Sequence, residues 1–255
     1  ETVVALENAA AAAGRRHAIV AMVDLGDLRE GMMPAQLPAF LERVNAMDHI
    51  DIAGIGANLT CYGAIVPDEV NLGRLADLGE RSSKQLGRPL LVSGGNSGSI
   101  SMVTSGRMPG AVDSLRIGET ILLGVDTLTR EPTLGLHLDA FTVQAPVVEC
   151  LVKPSLPHGT IAQDAFGNRP VFTDRGARRR AICALGRQDA PPDGLVPVDP
   201  RVEVLGASSD HLILDVDSLD RPPALGDSIT FVPTYAATLQ LFTSPYVTKV
   251  FTPPA

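Results

Sequence analysis

At 255 residues, 45% of them hydrophobic and with a mean hydropathy of +0.15, the chain has enough apolar material for a large core. One large domain, or one plus a smaller one, is expected. A formal charge of -8 and a pI near 5.1 leave no diffuse basic field, which argues against nucleic acid or an anionic membrane as partner. Cys61, Cys150 and Cys183 are odd in number, widely spaced and set among apolar residues, as buried thiols of a reducing compartment would be. With no apolar run of membrane-spanning length and no basic-then-apolar leader, the sequence reads as a cytoplasmic protein.

Glu1 to Ala13 carries Val3, Val4, Leu6 and an alanine run ending at Gly14, the pattern of the later part of a helix. A sequence that opens inside an element is expected to continue a segment upstream of it. From His17 to Gly124 strand-like and helical runs then alternate. Ala18 to Asp24 is a continuous apolar run, Gln36 to Met47 is amphipathic, and Ile50 to Gly56 is apolar and β-branched. Asp68 to Leu86 places Val70, Leu72, Leu75 and Leu78 at helical spacing, and Leu90 to Ser93 and Ser114 to Ile117 are short strands. Such alternation predicts parallel strands covered by helices, four strands in all.

After Asp126 the texture changes. Leu136 to Lys153, Arg179 to Leu185, Val202 to Leu205, His211 to Val216, Ser228 to Val232 and Tyr246 to Phe251 are strand-like and separated by Pro, Gly and Asp turns. They predict a mainly antiparallel β-domain, with Gln188 to Pro200, which holds four prolines, as a loop and Tyr235 to Phe242 as a helix. Residues 1–130 and 131–255 are the expected domains.

Three segments carry chemistry. Met22 to Gly31 reads Met-Val-Asp-Leu-Gly-Asp-Leu-Arg-Glu-Gly; Val92 to Ser99 reads Val-Ser-Gly-Gly-Asn-Ser-Gly-Ser; Asp113 to Glu119 reads Asp-Ser-Leu-Arg-Ile-Gly-Glu. The last two each run from apolar residues into small or hydrogen-bonding ones, as strand-end loops that hold a phosphorylated ligand do. Backbone amides at Asn96, Ser97 and Gly98, facing those of Gly118 and Glu119, would form a small anion cradle. A Ser-Gly-Gly-Asn-Ser-Gly string alone is an ordinary turn; Arg116 a short distance on gives it its value.

Together these segments resemble the pyridoxal-phosphate amino-acid racemases of the alanine racemase and ornithine racemase group. The resemblance implies an α/β plus β fold: the C-terminal half of a TIM-type (β/α)8 barrel followed by a mainly antiparallel β-domain. It also implies a homodimer in which one subunit's β-domain completes the other's site, and pyridoxal phosphate as cofactor. The family's Schiff-base lysine sits at the end of the first barrel strand, upstream of Glu1 by this comparison, so the chain by itself is expected to be inactive, with exposed strand edges that favour aggregation. Lys84, Lys153 and Lys249 are the only lysines and each reads as solvated.

By the same resemblance, Arg116 bonds the pyridine nitrogen and keeps it unprotonated, which suits racemisation over transamination. Ser97 bonds the phosphate, and Arg29 lies near the phenolic oxygen. Asn58 stands where alanine racemases carry a stacked histidine, and Tyr235 resembles a tyrosine that reaches the phosphate. The alternatives are a surface arginine at 116, an ion pair of Arg29 with Asp24 or Asp27, and simple packing for Tyr235. The second base departs from alanine racemases, whose tyrosine is missing from Gln163-Asp164-Ala165-Phe166-Gly167 and Gly186-Arg187-Gln188-Asp189-Ala190. These strings, with Ala207-Ser208-Ser209-Asp210-His211, are closer to the ornithine racemase branch. Asp164, Asp210 and His211 become candidates for a second acid or base, or for receiving a substrate's distal ammonium; turn or cap roles for Asp164 and Asp210 are the alternative. The five histidines lack metal-ligand spacing. The expected activity is racemisation of ornithine or another basic amino acid. Alanine racemisation and a non-catalytic pyridoxal-phosphate binder of the homeostasis type are the competing readings, the latter disfavoured because such proteins lack a β-domain.

Overall fold

A computed structural model describes residues 1–133 and 135–252 of the chain. It divides into two compact units, Glu1–Leu136 and His137–Ala255.

The first unit holds α1 (Thr2–Ala12), β1 (His17–Met22), α2 (Leu37–Asn45), β2 (Ile50–Gly56), α3 (Glu69–Leu86), β3 (Leu91–Asn96), α4 (Ile100–Thr104), β4 (Ser114–Arg116) and α5 (Glu119–Leu123). All four strands are parallel and lie in sequence order, each followed by a helix. This is the repeat of a βα barrel. In β2 five of seven residues are buried, as a strand covered on both faces requires. Leu37, Leu41 and Val44 of α2 form a one-sided stripe that meets β2 residues Ile50, Ile52 and Ile55 in one core.

Helix α3 starts where its chemistry dictates. The Asp68 carboxylate accepts from Asn71 N–H at 2.7 Å, while Asn71 Oδ1 accepts from Asp68 N–H at 3.0 Å, a reciprocal cap. It buries Leu72, Leu75 and Leu78 but leaves Val70 exposed, so the expected apolar stripe begins two residues later, at Leu72. Gly79 lets the helix approach β3, since a Cβ there would stand 2.4 Å from Val92 Cγ2.

The second unit holds β5 (Val143–Pro154), β6 (Ala177–Cys183), β7 (Leu195–Pro197), β8 (Glu203–Ala207), β9 (Leu212–Asp215), β10 (Ser228–Pro233) and α6 (Tyr235–Thr243). The strands form one antiparallel sheet in the order β7-β10-β5-β6-β9-β8. Phe231, Leu212, Leu214, Ala181 and Cys183 are buried at its centre.

Three expectations are corrected. Tyr246 to Phe251 makes no ladder; it runs exposed, with Tyr246, Val250 and Phe251 open to solvent and Tyr246 N–H on the nearby Ser244 Oγ at 3.2 Å. Residues 136 to 142 are outside the sheet, and β5 begins at Val143. The proline-rich stretch 188–200 is not all loop, because Leu195–Pro197 pairs with β10 at the sheet edge, where proline's missing N–H faces no neighbour.

Candidate active site

The carboxyl ends of β1 to β4 converge on one polar cluster. The register sets Ser93 beside Ser114 and Asn96 beside Arg116. The Arg116 guanidinium donates from Nη2 to Ala57 O at 2.8 Å and to Asn58 Oδ1 at 2.6 Å, and from Nη1 to Ser93 Oγ. Its Nε–H and second Nη1–H have no acceptor among the described residues. Burial pulls the Arg116 pKa down, and the nearby Glu30 carboxylate opposes that pull. Arg116 is thus exposed at its strand end, as a surface arginine would be, yet tied there by three acceptors.

Asn58 takes a different part from the ring contact considered above. Its Oδ1 accepts from Arg116 and its Nδ2 donates to Glu30 Oε1, so the amide links a donor-only group to an acceptor-only one. Glu30 in turn binds Arg29 through both carboxylate oxygens, with Arg29 Nη2 at 2.8 Å from Oε1 and Nε on Oε2. Arg29 thus pairs with Glu30 and not with Asp24 or Asp27, whose carboxylates are occupied by backbone. Asp24 accepts from Gly26 and Leu28 N–H; Asp27 accepts from Cys61, Tyr62 and Gly63 N–H.

The loop reaches this position through Gly31. There φ is 120°, and a Cβ would meet Asp24 N at 2.7 Å, so only glycine allows the chain to fold back along β1 and pair Val23 with Met32. Hydrogen bonding to Arg29 is the main reason the Glu30 carboxylate is lowered from 4.5 to about 2. The sign follows: the Glu30 link is complete above the ordinary carboxylate value of 4.5 and is lost as pH falls through about 2.

A second junction lies between the β3 and β4 ends. Ser97 Oγ accepts from Gly118 N–H and Thr120 N–H, both at 3.2 Å, which leaves its own hydroxyl hydrogen for another acceptor. Thr120 Oγ1 is buried beside it with no partner among the described residues. A Cβ on Gly118 would meet nothing within 4 Å, so the backbone there borders open space. The Gly98 and Gly118 N–H groups are spent on Asn96 Oδ1 and Ser97 Oγ, so the expected cradle of free amides is not formed. The Ser97 and Thr120 hydroxyls fit a phosphate oxygen, and an unaccepted N–H of Arg116 fits a ring nitrogen.

Asn96 organises this junction. Its Oδ1 accepts from Gly98 N–H at 2.8 Å, and its Nδ2 donates to Leu59 O at 2.9 Å and Cys61 Sγ at 3.0 Å. The Glu119 side chain is held by Arg130. Lys84, the lysine of this unit, pairs with Glu80 on the same exposed face of α3. Among the described residues no group of three His, Cys, Asp or Glu could hold a metal.

Asp164, Asp210, His211 and Tyr235 belong to the second unit. Asp164 is exposed and closes its own turn, accepting from Phe166 and Asn168 N–H, and these backbone bonds lower its pKa. The Asp210 carboxylate meets His211 Nδ1 at 2.8 Å. Arg187 joins the two turns: its guanidinium lies 4.7 Å over the Phe166 ring, its Nε donates to Ala207 O, and its backbone N–H donates to Ser208 O. Tyr235 is exposed at the start of α6.

Residues 1–125 match the family model of the alanine racemase N-terminal domain. The chain is 45% identical over 251 residues to an ornithine racemase of Acetoanaerobium sticklandii, covering 98% of this chain and 71% of that one. The chain belongs to the alanine racemase and ornithine racemase family. A lysine racemase of Thermotoga maritima is 42% identical over 92% of the chain and 66% of its own length. An alanine racemase from Bartonella henselae, solved with covalently bound pyridoxal phosphate, shares the fold with a TM-score of 0.63 at 22% identity, over 95% of this chain and 65% of its own. The chain thus spans about two thirds of the length of these relatives. Fold neighbours of this kind accord with a barrel followed by a β-domain.

Glu30 escaped the sequence reading. An Arg-Glu dipeptide ordinarily points its side chains apart, and the signal that they meet here is the flanking Gly31 together with Leu28, which adopts a left-handed φ of 55°.

Proposed function

We propose that the protein racemises a basic amino acid, ornithine or lysine, using pyridoxal phosphate held at the four strand ends of the first unit, and that it acts as a homodimer. The observation that carries the reading is the joined cluster of Arg29, Glu30, Asn58 and Arg116 beside the Ser97–Thr120 junction, in a chain 45% identical to an ornithine racemase. Free Cys61, Cys150 and Cys183, with no disulfide among the described residues, favour the reducing cytoplasm.

When bound, pyridoxal phosphate supplies an electron sink for the pair left on the α-carbon as its proton departs. The chain's own residues set the conditions. The Ser97 hydroxyl and the Thr120 hydroxyl bind phosphate oxygens, with Gly118 admitting close approach and Asn96, Gly98 and Glu119 shaping the loops that present them. Arg116 directs an N–H donor at the ring nitrogen. A guanidinium cannot surrender its proton, so that nitrogen stays unprotonated and electron density is kept near the α-carbon, which favours return of the proton there. Arg29 has three N–H groups beyond those on Glu30 and offers them to an anionic oxygen of cofactor or substrate. Tyr235 is assigned to the phosphate. Asp164 is assigned the second acid or base role, and Asp210 with His211 the distal ammonium, an acidic group being the fitting partner of a cation.

The test is chiral chromatography of L-ornithine, L-lysine and L-alanine after incubation with the full-length protein and cofactor. Ornithine or lysine is expected to reach a D,L mixture at least about tenfold faster than alanine, the discrimination that one well-placed charged contact supplies. Faster turnover of alanine would refute the substrate assignment, and no turnover of any would refute the activity.

A further inference from the structure

We propose that Glu30 is a positioning residue that serves both arginines of the site: it fixes Arg29 directly and Arg116 through Asn58. This rests on the racemase reading above.

Two guanidinium groups crowd the strand ends, and Arg29 makes Arg116 harder to keep protonated, while Glu30 makes it easier. Charges of like sign at such a site need a shared counter-ion. Asp24 and Asp27 are spent on backbone N–H groups and Glu119 on Arg130, which leaves Glu30 as the carboxylate that bonds Arg29 among the described residues. Its two oxygens receive Arg29 Nε and Nη2 side by side, the bidentate fit that sets the direction of the guanidinium plane.

The same Oε1 receives Asn58 Nδ2. With a carboxylate at one end and a guanidinium at the other, the Asn58 amide has one permitted orientation, oxygen toward Arg116. Loss of the carboxylate would free that amide to turn over and present its NH2 group to Arg116, donor against donor. Glu30 is therefore the origin of a chain, Glu30 to Asn58 to Arg116, that aims the ring-nitrogen donor, while its other contacts aim Arg29. The residue is half-exposed and outside the apolar core, so replacing it should leave folding intact.

The experiment compares Glu30→Gln, Glu30→Ala and Glu30→Asp in the full-length protein. Without cofactor, the Arg29 Nε–H signal in nitrogen-edited NMR should exchange with solvent at least about tenfold faster in Glu30→Ala than in wild type, since a bonded donor has become free. With cofactor, kcat should fall about 100-fold in Glu30→Gln and Glu30→Ala with pyridoxal phosphate still bound, and Glu30→Asp should recover at least a tenth of the wild-type value. Unchanged Arg29 exchange, or kcat within twofold of wild type in Glu30→Ala, overturns the proposal while leaving the racemase reading in place. A wild type that binds no pyridoxal phosphate overturns the racemase reading, and the catalytic part of this proposal with it; the Arg29 signal still decides the positioning.

Discussion

Arg116→Lys is expected to lower kcat/KM for the amino acid by roughly 10²- to 10³-fold, although the site keeps its charge. The guanidinium spans three acceptors at once, Ser93 Oγ, Ala57 O and Asn58 Oδ1. An ammonium is a compact point charge that cannot reproduce this fork, and it would leave the carbonyl of Ala57, itself fully buried, without its donor. Lysine can also give up a proton to its surroundings, which arginine does not, so the ring nitrogen of a bound cofactor would no longer face a fixed donor. Steady-state racemisation kinetics, taken with the visible spectrum to confirm that cofactor is still bound, decide the matter. A lysine variant within fivefold of wild type would mean that Arg116 serves the strand ends and not the chemistry.

The largest effect on stability is expected in the second unit. Phe231→Ala should cost about 3–5 kcal/mol in chemical denaturation, a large part of the about 5–15 kcal/mol that a domain possesses. Phe231 is 0% exposed and lies across from Val143 on one side and Pro197 on the other, so its ring is enclosed by β5 and β7 together with the buried residues of the same core. Removing it leaves a cavity that paired strands cannot collapse to fill. Leu225→Ala is the matched control: at 71% exposure it should change stability by less than about 0.5 kcal/mol. A Phe231→Ala loss below about 1 kcal/mol would contradict the packing described for this sheet.

The first unit was legible because covered parallel strands need continuous apolar runs. Ile50 to Gly56 satisfies two faces at once, and both its boundaries stand as read. Helix α3 was equally open to reading, since Asp68 at its start and Gly87, at a φ of 68° at its end, are local chemistry. The second unit was harder to read. Tyr246 to Phe251 has the composition of a strand, yet no partner strand is offered to it, and pairing is a non-local property that composition does not record. Leu195–Pro197 fails the opposite way: its proline and those around it speak against a strand, and an edge position removes the objection.

At the site, the resemblance located Arg29, Asn58, Ser97 and Arg116, and the structure brings these positions to neighbouring strand ends. What sequence could not supply was their wiring. Glu30 needed the backward fold of the loop at Gly31, and the relay role of Asn58 needed both of its neighbours in place. The turns of Asp164 and Asp210 were separate strings until Arg187 linked them across β-strands far apart in sequence.

Whether the β3 and β4 ends hold the cofactor phosphate is decided by phosphorus NMR of pyridoxal phosphate added to the full-length protein and to its Ser97→Asp variant. A carboxylate in place of the Ser97 hydroxyl sets negative charge against a phosphate dianion at the point where Gly118 and Thr120 N–H meet. The wild type should give a single shifted, broadened phosphorus signal at one equivalent, and Ser97→Asp the sharp signal of free cofactor. An equally shifted signal in both proteins would place the phosphate elsewhere and contradict the account.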